Sequence, residues 1–176
     1  MESNLIKRAV ENDPEALTKL IDAYKDIAYN IALSIVHNKL DAQDITQESF
    51  LKVFINISRF RNESGFSTWL YRIVYNESLQ HLKKMKKLNG LDVNLFKNEY
   101  YACDGKNALD EKYLQLYDQI DKLNELDRSL ITLFYLAEKS MKEISSITGM
   151  SLANIKVHLH RIRKRIAQNL NFTYES

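Results

Sequence analysis

Residues 143–166 read EISSITGMSLANIKVHLHRIRKRI: a short run with apolar residues at helical spacing, one glycine, then a long basic run. At about 100° per residue, Ile155, Leu159, Ile162 and Ile166 fall on one face of the second run, where they can pack on Ile144, Ile147 and Met150 across the turn. The opposite face carries Ala153, Asn154, Val157, His160, Arg161 and Lys164, with Lys156 and Arg165 at its borders. Small, polar and basic side chains suit a helix entering a major groove, where bulk blocks approach and Arg or Asn can bond base edges. Gly149 suits a sharp reversal needing a left-handed backbone, and Ser151 can cap the second helix and leave its first amides near phosphate. The stretch reads as a helix-turn-helix; the plainer alternative is a solvated basic helix closing a bundle.

Composition supports helices. The 176 residues are 45% hydrophobic and 27% charged, with one proline, Pro14, and four glycines, so long helices meet few forced interruptions. The expected fold class is all-α. The net charge of +2 hides an uneven distribution. Residues 151–170 carry Lys156, Arg161, Arg163, Lys164 and Arg165 with no acid, whereas 109–127 is acid-rich, which suggests two kinds of contact. Cys103 is the sole cysteine, so no intrachain disulfide can form and a cytoplasmic location is expected. No targeting pattern or bilayer-length apolar run stands out, so no membrane insertion is expected. Neither a metal site nor any cofactor is expected, and His158 and His160 lack a third ligand.

Working towards the N-terminus, Asp13-Pro14-Glu15 reads as a helix start. Leu17, Leu20, Ile21, Tyr24, Ile27, Ala28, Ile31 and Ile35 then make one stripe ending near His37 and Asn38. A second helix fits 41–58, with Ile45, Phe50, Val53, Phe54 and Ile57 inward and Asp44, Gln47 and Glu48 together outward. After RFRNESG at 59–65 a third begins at Phe66, with Trp69, Leu70, Ile73 and Val74 as its apolar face. Thr68, Arg72, Asn76, Gln80 and Lys84 follow at four-residue spacing. With Tyr71 and Tyr75 flanking them, and Phe60 and Phe66 bordering the loop, they form a basic and aromatic surface suited to unstacked bases. Trp69 reads as core; the lysines also fit a merely solvated face.

Residues 88–108 hold two glycines and no sustained period, and four further helices follow. The expected organisation is two small helical domains, 1–88 and 109–176, joined by a flexible linker at 89–108, the second domain containing the helix-turn-helix. Each core will be modest, so docking onto a partner can contribute to stability.

DAQDITQESFLKVF, SGFSTWLYRIVYNESLQHLKK and LDRSLITLFYLAEKSMKEISSITGMSLANIKVHLHRIRKRI, in that order, resemble the characteristic regions of sigma-70 family RNA polymerase sigma factors. The short linker resembles the extracytoplasmic-function (ECF) group. The resemblance implies a non-enzymatic transcription initiation factor whose region 2 binds core RNA polymerase and the −10 promoter element, and whose region 4 binds the −35 element. By position, Asp44, Gln47 and Glu48 would meet the polymerase. Phe60, Arg61, Asn62, Phe66, Ser67, Thr68, Arg72 and Asn76 would hold melted −10 DNA. Ser151, Asn154, Lys156, Val157, His160, Arg161 and Lys164 would face the −35 duplex. An anti-sigma factor is a further partner by resemblance alone. Ala153, Asn154, Val157 and His158 stand where glycine, threonine, serine and arginine are frequent. These departures leave the helix-turn-helix intact but bear on the −35 sequence read, because Val157 can touch a thymine methyl yet donates no hydrogen bond.

Two rival readings remain at this stage. A stand-alone helix-turn-helix regulator of duplex DNA leaves Asp44, Gln47 and Glu48 unexplained. A helical protein-interaction module leaves the basic faces merely solvated. An enzyme is unsupported, because no carboxylate pair, triad or phosphate-cradling glycine loop is evident.

Overall fold

The computed structural model describes residues 2–60, 64–88 and 111–170, and these are helical throughout apart from short turns. In chain order the helices are α1 (Glu2–Val10), α2 (Pro14–Val36), α3 (Lys39–Asn56), α4 (Phe66–Leu88), α5 (Glu111–Asp121), α6 (Glu125–Ile131), α7 (Met141–Thr148) and α8 (Leu152–Asn169). The boundary residues Arg61 and Asn62 and the stretch 89–110 lie outside the described residues.

Local chemistry sets most boundaries. Asp13 Oδ1 accepts from the amides of Glu15 and Ala16 at 2.9 and 3.3 Å with Pro14 beginning the helix, as the sequence indicates. The helix stops at His37, whose left-handed backbone (φ 58°) lets its amide bond back to the Leu33 carbonyl. Asn38 then caps α3 immediately, its side chain accepting from Leu40 and Asp41 at 2.9 and 3.1 Å, so α2 and α3 meet at a two-residue corner. The sequence reading places this second helix at 41–58; it starts earlier, and a 3-10 turn at Ile57–Arg59 ends it. α1 has no counterpart in that reading. It lacks a marked start, and packing holds it: Ala9 is buried and Leu5, Ile6 and Val10 lie on the core.

Two blocks come together in one core. Ile31, Ile35, Ile57, Leu70 and Val74 from the first block are buried in the same apolar cluster as Leu130, Leu133, Ile144, Ile147, Ile155 and Leu159 from the second. Each fully buried aliphatic side chain contributes about 1.5–3 kcal/mol, so this continuity joins the blocks with more than polar contacts. Polar contacts reinforce it. Arg128, 6% exposed, donates Nε to the Ser34 carbonyl at 2.9 Å and its Nη1 to the Leu123 and Asp121 carbonyls. Lys86 Nζ meets Glu125 at 3.3 Å.

Of the four helices expected after the linker, the second is divided. α6 ends at Ile131, a π-type turn occupies Thr132–Leu136, and Glu138 sits at φ 52°. The wider turn brings Lys139 and Ser140 to the start of α7 beside α4. There Ser140 and Glu143 form a reciprocal capping box: Ser140 Oγ accepts from the Glu143 amide at 3.3 Å, and Glu143 Oε2 accepts from the Ser140 amide at 2.9 Å.

Candidate nucleic-acid interface

The turn between α7 and α8 is fixed by three side-chain and backbone bonds. The Gly149 amide donates to the Ser145 carbonyl at 2.9 Å, Ser145 Oγ donates to the Met150 carbonyl at 2.6 Å, and the Met150 amide donates to Thr148 Oγ1 at 3.2 Å. Gly149 has φ 75°, the left-handed conformation that glycine adopts without a Cβ penalty. Ser151 Oγ then caps α8 by accepting from the Asn154 amide at 3.3 Å.

α8 divides as its helical period requires. Ile155, Leu159 and Ile162 are buried, while Ser151, Asn154, Lys156, Val157, His160, Arg161 and Lys164 are all exposed, Val157 to 63%. Seven candidate side chains therefore share one solvent face, held in orientation by the three buried anchors.

His158 turns the other way. Its Nδ1 lies 2.7 Å from the buried Asp127 carboxylate, and Arg161 Nη2 lies 3.4 Å from both oxygens of the same group. Asp127 is 4% exposed; Asn124 donates to its side chain at 3.1 Å and caps its amide at 2.8 Å. Arg161 thus rests one end of its guanidinium on Asp127 while its side chain stays 60% exposed. The sequence indicates no partner for His158 and leaves Asp127 within an undifferentiated acidic stretch. Only the approach of α6 to α8 pairs them. The same holds for two more acids of that stretch, since Glu125 meets Lys86 and Asp121 lies 3.5 Å from His37, whereas Asp118 pairs locally with Lys122 on the surface. Asp127 is thus buried, while Glu125 and Asp118 keep 35% and 56% of their side chains exposed.

At the start of α4 the picture is more closed than the sequence indicates. Arg72 and Asn76 are exposed on one face, but Phe66 and Thr68 are each 2% exposed. Phe66 sits in an aromatic cluster, its ring centroid 5.5 Å from Tyr24, 5.8 Å from Phe60 and 6.0 Å from Trp69. Trp69 is half-buried and packs on the core, as expected. Tyr71 and Tyr75, expected to flank the basic stripe, are buried at 1% and 5%. The cause is tertiary: α4 is packed between α2, α3 and α7, so its buried face extends beyond the stripe its own period indicates. Burial raises the Tyr75 hydroxyl pKa, against a hydrogen bond with Ser129 of the second block.

Thr68 is covered by α7. Its hydroxyl donates to Glu143 Oε1 at 3.1 Å, and Lys139 Nζ donates to Ser67 Oγ at 2.6 Å and to Glu143 Oε1 at 3.2 Å. Burial disfavours ionised Glu143, but bonds from the Ser140 hydroxyl and amide and from Lys139 outweigh it and hold its pKa at about 2.

On α3, Asp44, Gln47 and Glu48 are exposed as their spacing predicts. Leu40, Leu51 and Ile55, 72%, 59% and 77% exposed, continue the same face at three- and four-residue steps. The sequence reading omitted them. The period itself contained the signal, because none of the three falls on the inward stripe. Among the described residues no group of three or more His, Cys, Asp or Glu could hold a metal ion, and no helix is long and apolar enough to cross a membrane.

Comparison with known proteins matches residues 20–88 to sigma-70 region 2 and residues 113–166 to sigma-70 region 4. The ECF RNA polymerase sigma factor SigW of Bacillus subtilis is 30% identical over 94% of both chains. This chain belongs to the ECF group of the sigma-70 family. It is an RNA polymerase sigma factor, a protein of transcription initiation. The RNA polymerase sigma-H factor of Pseudomonas aeruginosa is 26% identical, covering 96% of this chain and 93% of that one. The fold matches the sigma factor RpoE of Bartonella quintana, solved in complex with the anti-sigma factor NepR, with a TM-score of 0.75 at 19% identity, over 88% of this chain and 96% of that one. Within the family frame, α2 to α4 supply most of the region 2 match, and the helix-turn-helix of α7 and α8 closes the region 4 match.

Proposed function

We propose that this sigma factor divides promoter recognition between its two blocks while α3 docks on core RNA polymerase. The exposed α8 face carries this reading: Asn154, Lys156, Val157, His160, Arg161 and Lys164 would enter the −35 major groove. Arg161 and Asn154 offer hydrogen bonds to base edges, Val157 an apolar contact for a thymine methyl, and Lys156 and Lys164 charge for phosphate. Ser151 at the start of α8 leaves helix amides for the backbone.

Region 2 would supply the other half. Arg72 and Asn76 on α4, with Phe60, Arg61, Asn62, Phe66, Ser67 and Thr68 at its entrance, would hold the melted −10 strand once that entrance is open. Capture of unstacked bases offsets an unstacking cost of about a few kcal/mol per step. Asp44, Gln47 and Glu48 would engage polymerase, with Leu40, Leu51 and Ile55 adding apolar area. Each DNA contact is small, so polymerase binding both blocks converts the second contact into a near-intramolecular event. The chain itself performs no covalent step.

Run-off transcription with core polymerase on fragments of the source genome tests this reading. Promoter-specific transcripts that depend on the chain are expected. Tight, sequence-specific duplex binding without polymerase, and no transcript with it, would instead identify a stand-alone regulator.

A further inference from the structure

The C-terminal half of α4 carries charge that the promoter reading above leaves unused. Arg72, Asn76, Gln80, Lys83, Lys84 and Lys87 follow one another at three- and four-residue steps and are all exposed, so they share one face of the helix. The single acid of α4, Glu77, is half-buried and held by Lys52 of α3. Lys86 lies off this face and meets Glu125 instead. Among the described residues no acid pairs with Lys83, Lys84 or Lys87. Three cations therefore stand together at the far end of a face whose first half is assigned above to the −10 strand.

The two halves of that face differ in chemistry. Residues 80–88 contain no Phe, Trp or Tyr, so they offer no platform for an unstacked base. Lysine presents a compact, hydrated charge on a flexible stem, which suits phosphate oxygens without fixing a base. From Arg72 to Lys87 the face runs about 22 Å at about 1.5 Å per residue, the length of about six base pairs of duplex. Promoter DNA that is melted at the entrance of α4 is double-stranded on its way to the −35 element, so a duplex leaves the site of one block towards that of the other.

We propose that Lys83, Lys84 and Lys87 grip the phosphate backbone of the double-stranded DNA between the −10 and −35 elements, whatever its sequence. The grip rests on the assignment of the α4 entrance to the −10 strand. It divides α4 into an N-terminal half that selects the promoter and a C-terminal half that only adds affinity. That affinity comes from release of counterions, so it falls with salt by about 0.9 in log–log slope for each phosphate neutralised. Lys86 has no part in it, because Glu125 already holds its charge.

The test compares holoenzymes made with the wild-type chain, with Lys83→Gln/Lys84→Gln/Lys87→Gln, and with a charge-matched control, Lys7→Gln/Lys19→Gln/Lys25→Gln, whose lysines are exposed on α1 and α2. Thermal melting checks that each chain is folded. The probe is a fluorescein-labelled fragment of a promoter that the wild-type holoenzyme transcribes, with the non-template −10 strand unpaired and the −35 element absent. A short version ends at the upstream edge of the −10 element, and a long version continues for about ten base pairs of duplex, one helical turn. Anisotropy titrations cover about 50 to 200 mM KCl. On the long probe the α4 variant is expected to bind more weakly than wild type, with a salt slope shallower by about 2–3, so that its loss is about 40-fold larger at the low-salt end. On the short probe it should match wild type, the control should match on both, and randomising the added base pairs should change nothing. An unchanged slope on the long probe, an equal loss on both probes, the same loss in the control, or a loss that depends on the added sequence would each overturn the grip and leave the −10 assignment standing. If the wild type supports no core-dependent transcript, the promoter assignment itself fails and the grip falls with it.

Discussion

The Asp127 carboxylate lies beneath the exposed Arg161, 3.4 Å from its Nη2, with His158 bonded to the same group at 2.7 Å. A buried acid from α6 thus sets the direction of a basic side chain on the outer face of α8. Arg161→Ala is expected to weaken −35 duplex binding by about 1–3 kcal/mol and leave polymerase affinity unchanged. Asp127→Asn keeps Arg161 but releases its anchor, so discrimination between −35 sequences should fall more than total affinity. Anisotropy titrations with matched and mismatched duplexes measure both; equal loss of polymerase and DNA binding by Arg161→Ala would contradict the assignment.

Leu51 and Ile55 project from α3 with little to hold them. Replacing either by Glu should shift stability by no more than about 0.5 kcal/mol, the usual range for exposed sites, yet lower affinity for core polymerase. Thermal melting and a pull-down with core enzyme separate the two effects. Unchanged polymerase affinity would place the docking face elsewhere.

His37 gives the packed state a pH dependence. Burial, aided by nearby Arg128 and opposed by Glu125, lowers its pKa from 6.5 to about 4. Asp121 beside it is shifted the other way, upward by burial, so the pair is best described as neutral imidazole against a reluctant carboxylate. A depressed histidine pKa means that the unfolded chain takes up the proton first. Stability is therefore full above pH 6.5 and is lost as pH falls towards 4, by about 2 kcal/mol at pH 5. His37→Asn keeps a residue tolerant of the left-handed backbone and should flatten the profile between pH 6.5 and 4 in denaturant melts. An unchanged slope would assign the acid sensitivity to other groups.

Gly149→Ala tests the turn. A Cβ there meets nothing within 4 Å, so the penalty is conformational, from φ 75°. A loss of about 1–2 kcal/mol is expected by calorimetry, without a steric collapse of the helix-turn-helix. A loss well beyond that would mean that the turn is also packed.

How far the sequence was legible differs between the two halves of the candidate interface. The α8 face followed from period alone, because Ile155, Leu159 and Ile162 face a single packing surface and everything opposite is free. The α4 face did not, because three helices pack around α4 and draw Tyr71, Tyr75 and Thr68 inward from what looks like an open stripe. Residues 109–127 misled for a similar reason: Asp121, Glu125 and Asp127 look like part of a surface charge run until His37, Lys86 and α8 come beside them.

The sequence by itself determined the all-α class, the caps at Asp13 and Ser151, the reversal at Gly149 and the outward face of α8, since each depends on residues within about two turns of one another. Tertiary structure decided what no local pattern contains. Arg128 reaches the Ser34 carbonyl across 94 positions of sequence, and Glu143 reaches Thr68 across 75. Such contacts depend on where packed helices happen to meet, and here they close the α4 face that the sequence alone depicts as open.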